Sequence, residues 1–466
     1  MTQMVSGGIE ALRAALEGDV YGPGDARYDE GRRVWNAQID RHPAVVAMCT
    51  SAADVAAAIA HAQREALPIS VRGGGHNTSG SAVMDGGLMI NLSQMSSVTV
   101  DPEARRARVG GGALLADMDA ATQEHGLATP GGVVSHTGIG GLTLGGGMGW
   151  LTRKHGLSID NLIGAEVVLA DGSVVWASEA ENPDLFWALR GGGGNFGVVT
   201  TFEFALHPVG PIVNFGFFFW EAARGTEALR LIRDTIASLP RELNGLVAAL
   251  NAPPAPFVPE QHRFAPGYAL MLTGFGTPEE HAEQAQRLRA ALPPLFEFIT
   301  PVPYTALQQM QDEGTAWGQL WYEKGTQLPD LTDDVIDVLT EHFPRRTSPL
   351  SMFAFYRLDQ AYSEVDEDAT AYGGGRSPRY AATLVAAVHD LDTWAKEREW
   401  IRGVWSALQP YSLGIGDYIN AMTEFEEDRI KASYGPAKYD RLARIKAVYD
   451  PRNIFRSNMN IPPATP

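Results

Sequence analysis

Arg72-Gly73-Gly74-Gly75-His76-Asn77-Thr78-Ser79-Gly80 follows a short apolar run, Pro68 to Val71, and sets a histidine at the rim of a glycine cradle. Consecutive glycines leave φ > 0 open and put no Cβ in the way, so backbone N–H groups can close on a bulky, charged ligand. Two more glycine-dense stretches occur, Thr137 to Trp150 and Gly192-Gly193-Gly194-Asn195-Phe196-Gly197. The first has no following Lys-Ser/Thr and is not a nucleoside-triphosphate loop. The second satisfies Gly-x-Gly-x-x-Gly, but a helical pattern precedes it and a strand pattern follows, the reverse of a Rossmann turn. Each loop is a weak signal by itself. As a set they suit one long dinucleotide wrapped by three backbone loops.

The elements that must hold these loops are legible in outline. Ser51 is a good N-cap with Asp54 in the first turn, predicting a helix to about Ala66 that leads into a strand at Pro68 to Val71. Met89 to Leu92 and Ser97 to Val100 read as short strands, and Leu114 to His125 as a helix. Asp171-Gly172 between two apolar runs is a hairpin signal. Asn182-Pro183 predicts a capped helix through Arg190, followed by a strand from Val198 to Phe204. From about Asn214 longer aromatic strands (217–220, 268–273, 351–356, 380–389) alternate with helices (279–292, 331–342, 393–408), a second α+β region with a largely antiparallel sheet backed by helices.

Composition narrows the function classes. The 466 residues are too many for one ordinary core, so two or three domains are expected. A net charge of -18 with no basic cluster argues against nucleic acid and anionic membrane as partners. No apolar run reaches the length of a membrane span and no signal peptide is visible, which points to the cytoplasm. Cys49 is the only cysteine and sits in the apolar run Ala44 to Cys49, so it reads as a buried thiol, and the 11 histidines show no metal-ligand spacing.

The ordered series Arg72 to His76, Gly138-x-Gly-Gly with Gly145 to Gly149, Gly156-Leu157-x-x-Asp160-Asn161, Asn182 to Gly197, Tyr418-x-Asn420 and Tyr449-Asp450-Pro451-x-Asn453 with Asn458-x-Asn460-Ile461 spans nearly the whole chain. It resembles the berberine-bridge-enzyme-like branch of the FAD-linked oxidases of the vanillyl-alcohol oxidase superfamily. The resemblance implies an α+β fold: a PCMH-type FAD-binding domain of two α+β subdomains, made of residues 1–213 and a returning segment 411–466, and a substrate domain at 214–410. It implies FAD bonded covalently to His76. Many relatives attach the flavin a second time through a cysteine, but Val134 stands at that position and has no thiolate. Attachment through His76 alone, as in hydroxynicotine oxidases, is therefore expected.

By the same resemblance the cofactor would be held by Arg72, Gly73, Gly74, Gly75, His76, Asn77 and Gly80 in the first loop and by Thr137, Gly138, Gly140, Gly141, Gly145 and Gly149 in the second. Gly194, Asn195, Gly197 and Val199 would follow in the third, and Asn420, Asn458 and Asn460 in the tail. Tyr418 matches the base of carbohydrate- and anthracycline-oxidising relatives. Poising a phenol near pH 7 takes about 4 kcal/mol of phenolate stabilisation, and a nearby cation, with Lys324 and Arg376 as candidates, or a partner phenol would supply it. Tyr322, Lys324, Arg376 and Thr383 are assigned to the substrate side, Thr383 standing where some plant relatives carry a glutamate. Thr137 matches a position that gates O2.

The expected reaction is hydride removal from a carbon bearing a hydroxyl or amine of a small molecule, with O2 as acceptor giving hydrogen peroxide. A dehydrogenase using another acceptor and a flavin-binding protein without turnover are the rival readings. A homodimer is allowed by nothing more than precedent.

Overall fold

The structure is a computed structural model that describes residues 2–414, 416, 418–425 and 427–465, with side chains described from residue 8. Its first sheet joins β1 (Val20–Tyr21), β2 (Val45–Met48), β3 (Ile69–Arg72) and β4 (Leu88–Asn91) in the order β1-β2-β4-β3. β2 and β3 both run parallel to β4. Parallel neighbours need a crossover, and the helix Ala52–Arg64 provides it between β2 and β3. Ser51 caps that helix, accepting the Asp54 N–H at 3.2 Å. Both faces of β2 and β4 are covered, which is why they read as unbroken apolar runs. Cys49 is buried at the end of β2, and burial pushes its thiol pKa up, the state of a packing residue.

A second, antiparallel sheet contains β5 (Val98–Asp101), β6 (Arg106–Gly110), β8 (Leu162–Val168), β9 (Val174–Ala177) and β10 (Val198–Ala205), in the order β5-β6-β10-β8-β9. The short β7 (Leu127–Ala128) pairs instead with β11 (His207–Pro208). The Asp171-Gly172 turn closes the β8–β9 hairpin, pairing Val168 with Val174. Asn182 departs from expectation. It does not cap the helix Pro183–Leu189; it takes the left-handed conformation (φ 51°) and donates to the Trp176 carbonyl at 2.7 Å, tying the helix to β9.

The third sheet has seven antiparallel strands: β12 (Ile212–Glu221), β13 (Leu243–Asn251), β14 (Pro266–Gly274), β15 (Phe296–Pro303), β16 (Leu320–Leu328), β17 (Met352–Leu358) and β18 (Arg379–Val388). Their order is β15-β12-β14-β13-β17-β18-β16. Helices Gly225–Ser238, Pro278–Ala291, Asp333–His342 and Leu391–Leu408 cover one face, where Phe218, Val247, Leu270 and Leu384 meet Ile232, Leu288, Leu339 and Val404. Each such fully buried side chain contributes roughly 1.5–3 kcal/mol. On the opposite face Phe215, Phe217, Phe219 and Leu246 pack with Trp150, Leu151, Tyr304 and Leu307, and the β16 to β18 end forms a wall of the site.

After the third sheet the chain returns. Ile419, Met422, Ile430, Leu442 and Ile461 join Val109, Ala165 and Phe202 in one apolar cluster. The tail is locked by Lys446, fully buried, whose ammonium donates to Asp450 Oδ2 (2.6 Å) and to the carbonyls of Asn195 (2.6 Å) and Phe455 (2.9 Å). Asp450 also accepts the N–H groups of Ile454 and Phe455, which is the structural use of the Asp-Pro-x-Asn motif. No helix among the described residues is long and apolar enough to cross a membrane.

Candidate active site

A cavity of about 380 Å³ runs between the glycine loops and strands β16, β17 and β18 of the third sheet. Gly73, Gly74, Gly75, His76 and Asn77 line it from the turn after β3, and Thr137, Gly138, Gly140 and Gly141 from the second loop. These two loops lie back to back: a Cβ on Gly74 would run into the Gly138 backbone, and one on Gly138 into Gly74. The third loop adds Gly194, Gly197 and Val199, and the tail adds Tyr418, Asn420 and Asn458.

Six positions expected at the cofactor stand behind this lining. Gly80, Gly145 and Gly149 face the Ile39 side chain, the Asn420 carboxamide and the Gly131 carbonyl, so their missing Cβ atoms clear protein and not ligand. Arg72 lies under its loop with the guanidinium 5.9 Å from the Trp317 ring centroid. Asn195 pins the tail, donating to the carbonyls of Gly192 and Met459 and accepting the Ile461 N–H. Asn460 is off the wall. Its carboxamide oxygen and that of Asn458 are buried without a partner.

The cleft fits a long dinucleotide. A Cβ built on Gly141 would meet nothing within 4 Å, so the backbone there is open to a ligand. Backbone N–H groups suit a pyrophosphate, and the unpaired Asn458 oxygen calls for a donor such as a hydroxyl.

His76 is fixed from two sides. Its Nε2 is 3.0 Å from His136 Nδ1, and its ring stacks on Trp35 with centroids 4.2 Å apart. Trp35 in turn stacks on Trp321 of β16 at 4.3 Å. Burial pulls the His76 pKa down to about 3, leaving a neutral imidazole with a nucleophilic lone pair at neutral pH. Ser135, beside His136, holds Asp312 through its N–H (2.8 Å) and hydroxyl (2.5 Å). Val134 lines the same cavity.

The sheet wall follows from register. Across β16, β18 and β17, Glu323 pairs with Val385 and Val385 with Met352; one row on, Gly325 pairs with Thr383 and Thr383 with Ala354. Strand side chains alternate, so Trp321, Glu323, Thr383, Val385, Met352, Ala354 and Tyr356 face the cavity. Tyr322 and Lys324 therefore point the other way, a correction to their assignment to the substrate. The Tyr322 hydroxyl donates to Glu424 and accepts from Arg402, both at 3.1 Å. Lys324 pairs with Glu424 at 3.3 Å and lies 5.1 Å from the Trp405 ring centroid. Arg376 is also off the cavity: its guanidinium is bidentate to Asp160 at 2.8 and 2.7 Å and rests on the Tyr362 and Tyr372 rings. Thr383 is on the wall.

Tyr418 stands in the cavity with its oxygen accepting the Gly147 N–H and an Asn420 N–H, each at 2.9 Å. The expected lysine or arginine is not what faces it. Burial dominates and pushes the phenol above its ordinary value, while the two N–H donors pull the other way. Among the described residues its own O–H donates to no protein group.

Trp35, Asn36, His136, Asp312, Glu323 and Tyr356 went unnoticed in the sequence. Asn36 staples the loop to the sheet, donating to the carbonyls of Thr78 and Trp321 and accepting the Trp321 N–H. Only the alternation of β16 could have pointed to Glu323; Trp35 and Asn36 carry no local signal.

Two family models match the chain, an FAD binding domain over residues 43–178 and a berberine and berberine-like domain over residues 417–462. An FAD-linked oxidoreductase of Dictyostelium discoideum is 30% identical over 453 residues, covering 96% of this chain and 95% of its own. The crystal structure of 6-hydroxy-D-nicotine oxidase from Arthrobacter nicotinovorans superposes with a TM-score of 0.87 at 28% identity, over 96% of this chain and 98% of that one. Glucooligosaccharide oxidase from Acremonium strictum, described with a 6-S-cysteinyl, 8α-N1-histidyl FAD, gives 0.84 at 25% identity, over 98% and 100%.

Proposed function

The chain belongs to the berberine-bridge-like FAD-linked oxidoreductases, and from that membership we propose that it is an oxidase carrying FAD on His76 alone. It is an FAD-dependent oxidoreductase acting on small organic substrates. The observation that carries the finer reading is the neutral, half-buried His76 imidazole at the meeting of the glycine cleft and the sheet wall, with a valine where a second attachment would need a thiolate.

In this reading residues 1–213 and 411–466 bind the cofactor and residues 214–410 present the substrate. When bound, FAD would supply a hydride acceptor that O2 can reoxidise. The glycine loops hold the dinucleotide by backbone N–H groups; the aromatic and aliphatic wall of β16 to β18 excludes water. In the tautomer whose His76 Nε2–H donates to His136 Nδ1, His76 Nδ1 keeps its lone pair for attachment. Tyr418 takes the proton from the substrate hydroxyl or amine as a phenolate. Burial works against that form and keeps the resting group a phenol, while two N–H bonds at its oxygen favour the phenolate in place of the cation expected from sequence, hydrogen bonds to a charged group contributing about 1.5–3 kcal/mol each. Thr137, on the cavity wall and no larger than valine, leaves room for O2.

The test is anaerobic bleaching of the holoenzyme by a panel of secondary alcohols, cyclic amines and oligosaccharides, then mixing with aerated buffer. Rapid reoxidation with hydrogen peroxide release, slowed in Thr137→Leu, supports the oxidase. Bleaching without reoxidation makes the chain a dehydrogenase. Flavin that stays with acid-precipitated protein, and is lost in His76→Ala, supports the single attachment; free FAD in the wild-type supernatant overturns it.

A further inference from the structure

Glu323 is a carboxylate on an otherwise apolar and aromatic wall. Its backbone is fixed by the β16–β18 register and by the Thr423 hydroxyl, which accepts the Glu323 N–H at 2.9 Å. Its side chain borders the cavity, and among the described residues its carboxylate accepts one hydrogen bond, from the Thr78 hydroxyl at 3.4 Å. Every neighbouring cation is engaged elsewhere: Lys324, one residue on, points through the sheet to Glu424, which also holds Arg398 and Arg402. No described lysine or arginine pairs with Glu323.

A carboxylate withdrawn from water costs free energy unless a positive charge or strong donors meet it, and desolvation of the half-buried Glu323 raises its pKa to about 7. Retaining such a group on the wall of a substrate cavity makes sense if the partner arrives with the substrate. Around it the cavity offers the rings of Trp321 and Tyr356, surfaces that attract an ammonium and shed a carboxylate or phosphate.

We propose that the cavity takes a substrate bearing a basic nitrogen, whose ammonium docks on the Glu323 carboxylate against the aromatic wall. This rests on the reading of the cavity as the substrate site and adds a substrate class: cationic amines rather than neutral sugars or acids. Glu323 acts here as a specificity-determining residue. The other titratable groups facing it do not change charge near neutrality. Tyr356 and Tyr418 are held as phenols by burial, and burial keeps His76 and His136 neutral.

Two probes of similar size test this by calorimetry on the flavin-loaded protein: benzyltrimethylammonium, permanently charged, and benzyl alcohol. Benzyltrimethylammonium affinity is expected to rise about tenfold as pH increases through about 7, because only the ionised carboxylate attracts it, while benzyl alcohol affinity stays level. Glu323→Gln should remove the pH dependence and weaken the cation about tenfold above pH 7, with benzyl alcohol changed less than about twofold. A cation bound no more tightly than the alcohol at high pH, or a pH dependence that survives Glu323→Gln, overturns the proposal. Should the variant fail to fold, the two-probe series on wild type still decides. Failure of the oxidase reading is seen separately, as flavin that no substrate bleaches.

Discussion

The two walls of the cavity are built on different principles. The loop wall is backbone: glycines at 73 to 75, 138, 140 and 141 whose value lies in what they lack. The sheet wall is side chain: alternate residues of three strands, each position occupied by whatever the register delivers. A backbone wall can bind a cofactor common to many relatives with little dependence on neighbouring residue types. A side-chain wall can change its ligand by single substitutions without disturbing the fold.

The contrast can be broken at three points. The largest effect is expected at Tyr418, where the walls meet: Tyr418→Phe keeps the ring but removes the proton acceptor, and should lower the rate of flavin reduction by roughly 10² to 10⁴ with little change in substrate affinity. Stopped-flow reduction measures it, and a loss below about threefold would return Tyr418 to packing. Next comes the loop wall itself. Gly138→Ala drives a methyl into the Gly74 backbone, while Gly141→Ala points one into open space. The first should cost about 1–3 kcal/mol of stability and reduce flavin content, the second far less stability. Equal stability of the two variants in thermal melts would mean that the loops are not in contact.

A third effect, confined to pH above the ordinary carboxylate range, sharpens the joint between the regions. Asp119, on the helix Leu115–Gln123, accepts a hydrogen bond at 2.9 Å from Gln308 of the helix Tyr304–Gln309, and burial raises its pKa to about 7. A carboxyl whose folded pKa is raised contributes its stability below the unfolded value and loses it as pH climbs through the folded one. Asp119→Asn should therefore be more stable than wild type at about pH 8, by on the order of a few kcal/mol, with the gap closing toward about pH 4. Denaturant melts at both pH values decide it; a gap independent of pH would rule out titration of Asp119.

Legibility divided along the same line. The glycine loops, the Ser51 cap and the Asp171-Gly172 hairpin follow from local backbone chemistry, and local chemistry is what a sequence displays. Tyr322 and Lys324 were placed at the substrate because their types suit it, but β16 itself went unrecognised, and without the strand there was no alternation to turn them away and bring Glu323 forward. Arg376 failed for another reason: its partner Asp160 lies 216 residues away, a distance that no local pattern spans. Gly80, Gly145 and Gly149 belong to glycine motifs, yet the motif does not say which side of the chain is ligand.

The stack of His76, Trp35 and Trp321 has an optical consequence. Trp35 lies 4.2 Å from the imidazole that would carry a flavin and 4.3 Å from Trp321, one indole from each region of the chain. Emission from both should be quenched while the stack is closed. Separation of the third sheet from the glycine loops would then register as a gain in tryptophan fluorescence, giving this protein a reporter of the contact between its walls that needs no added label.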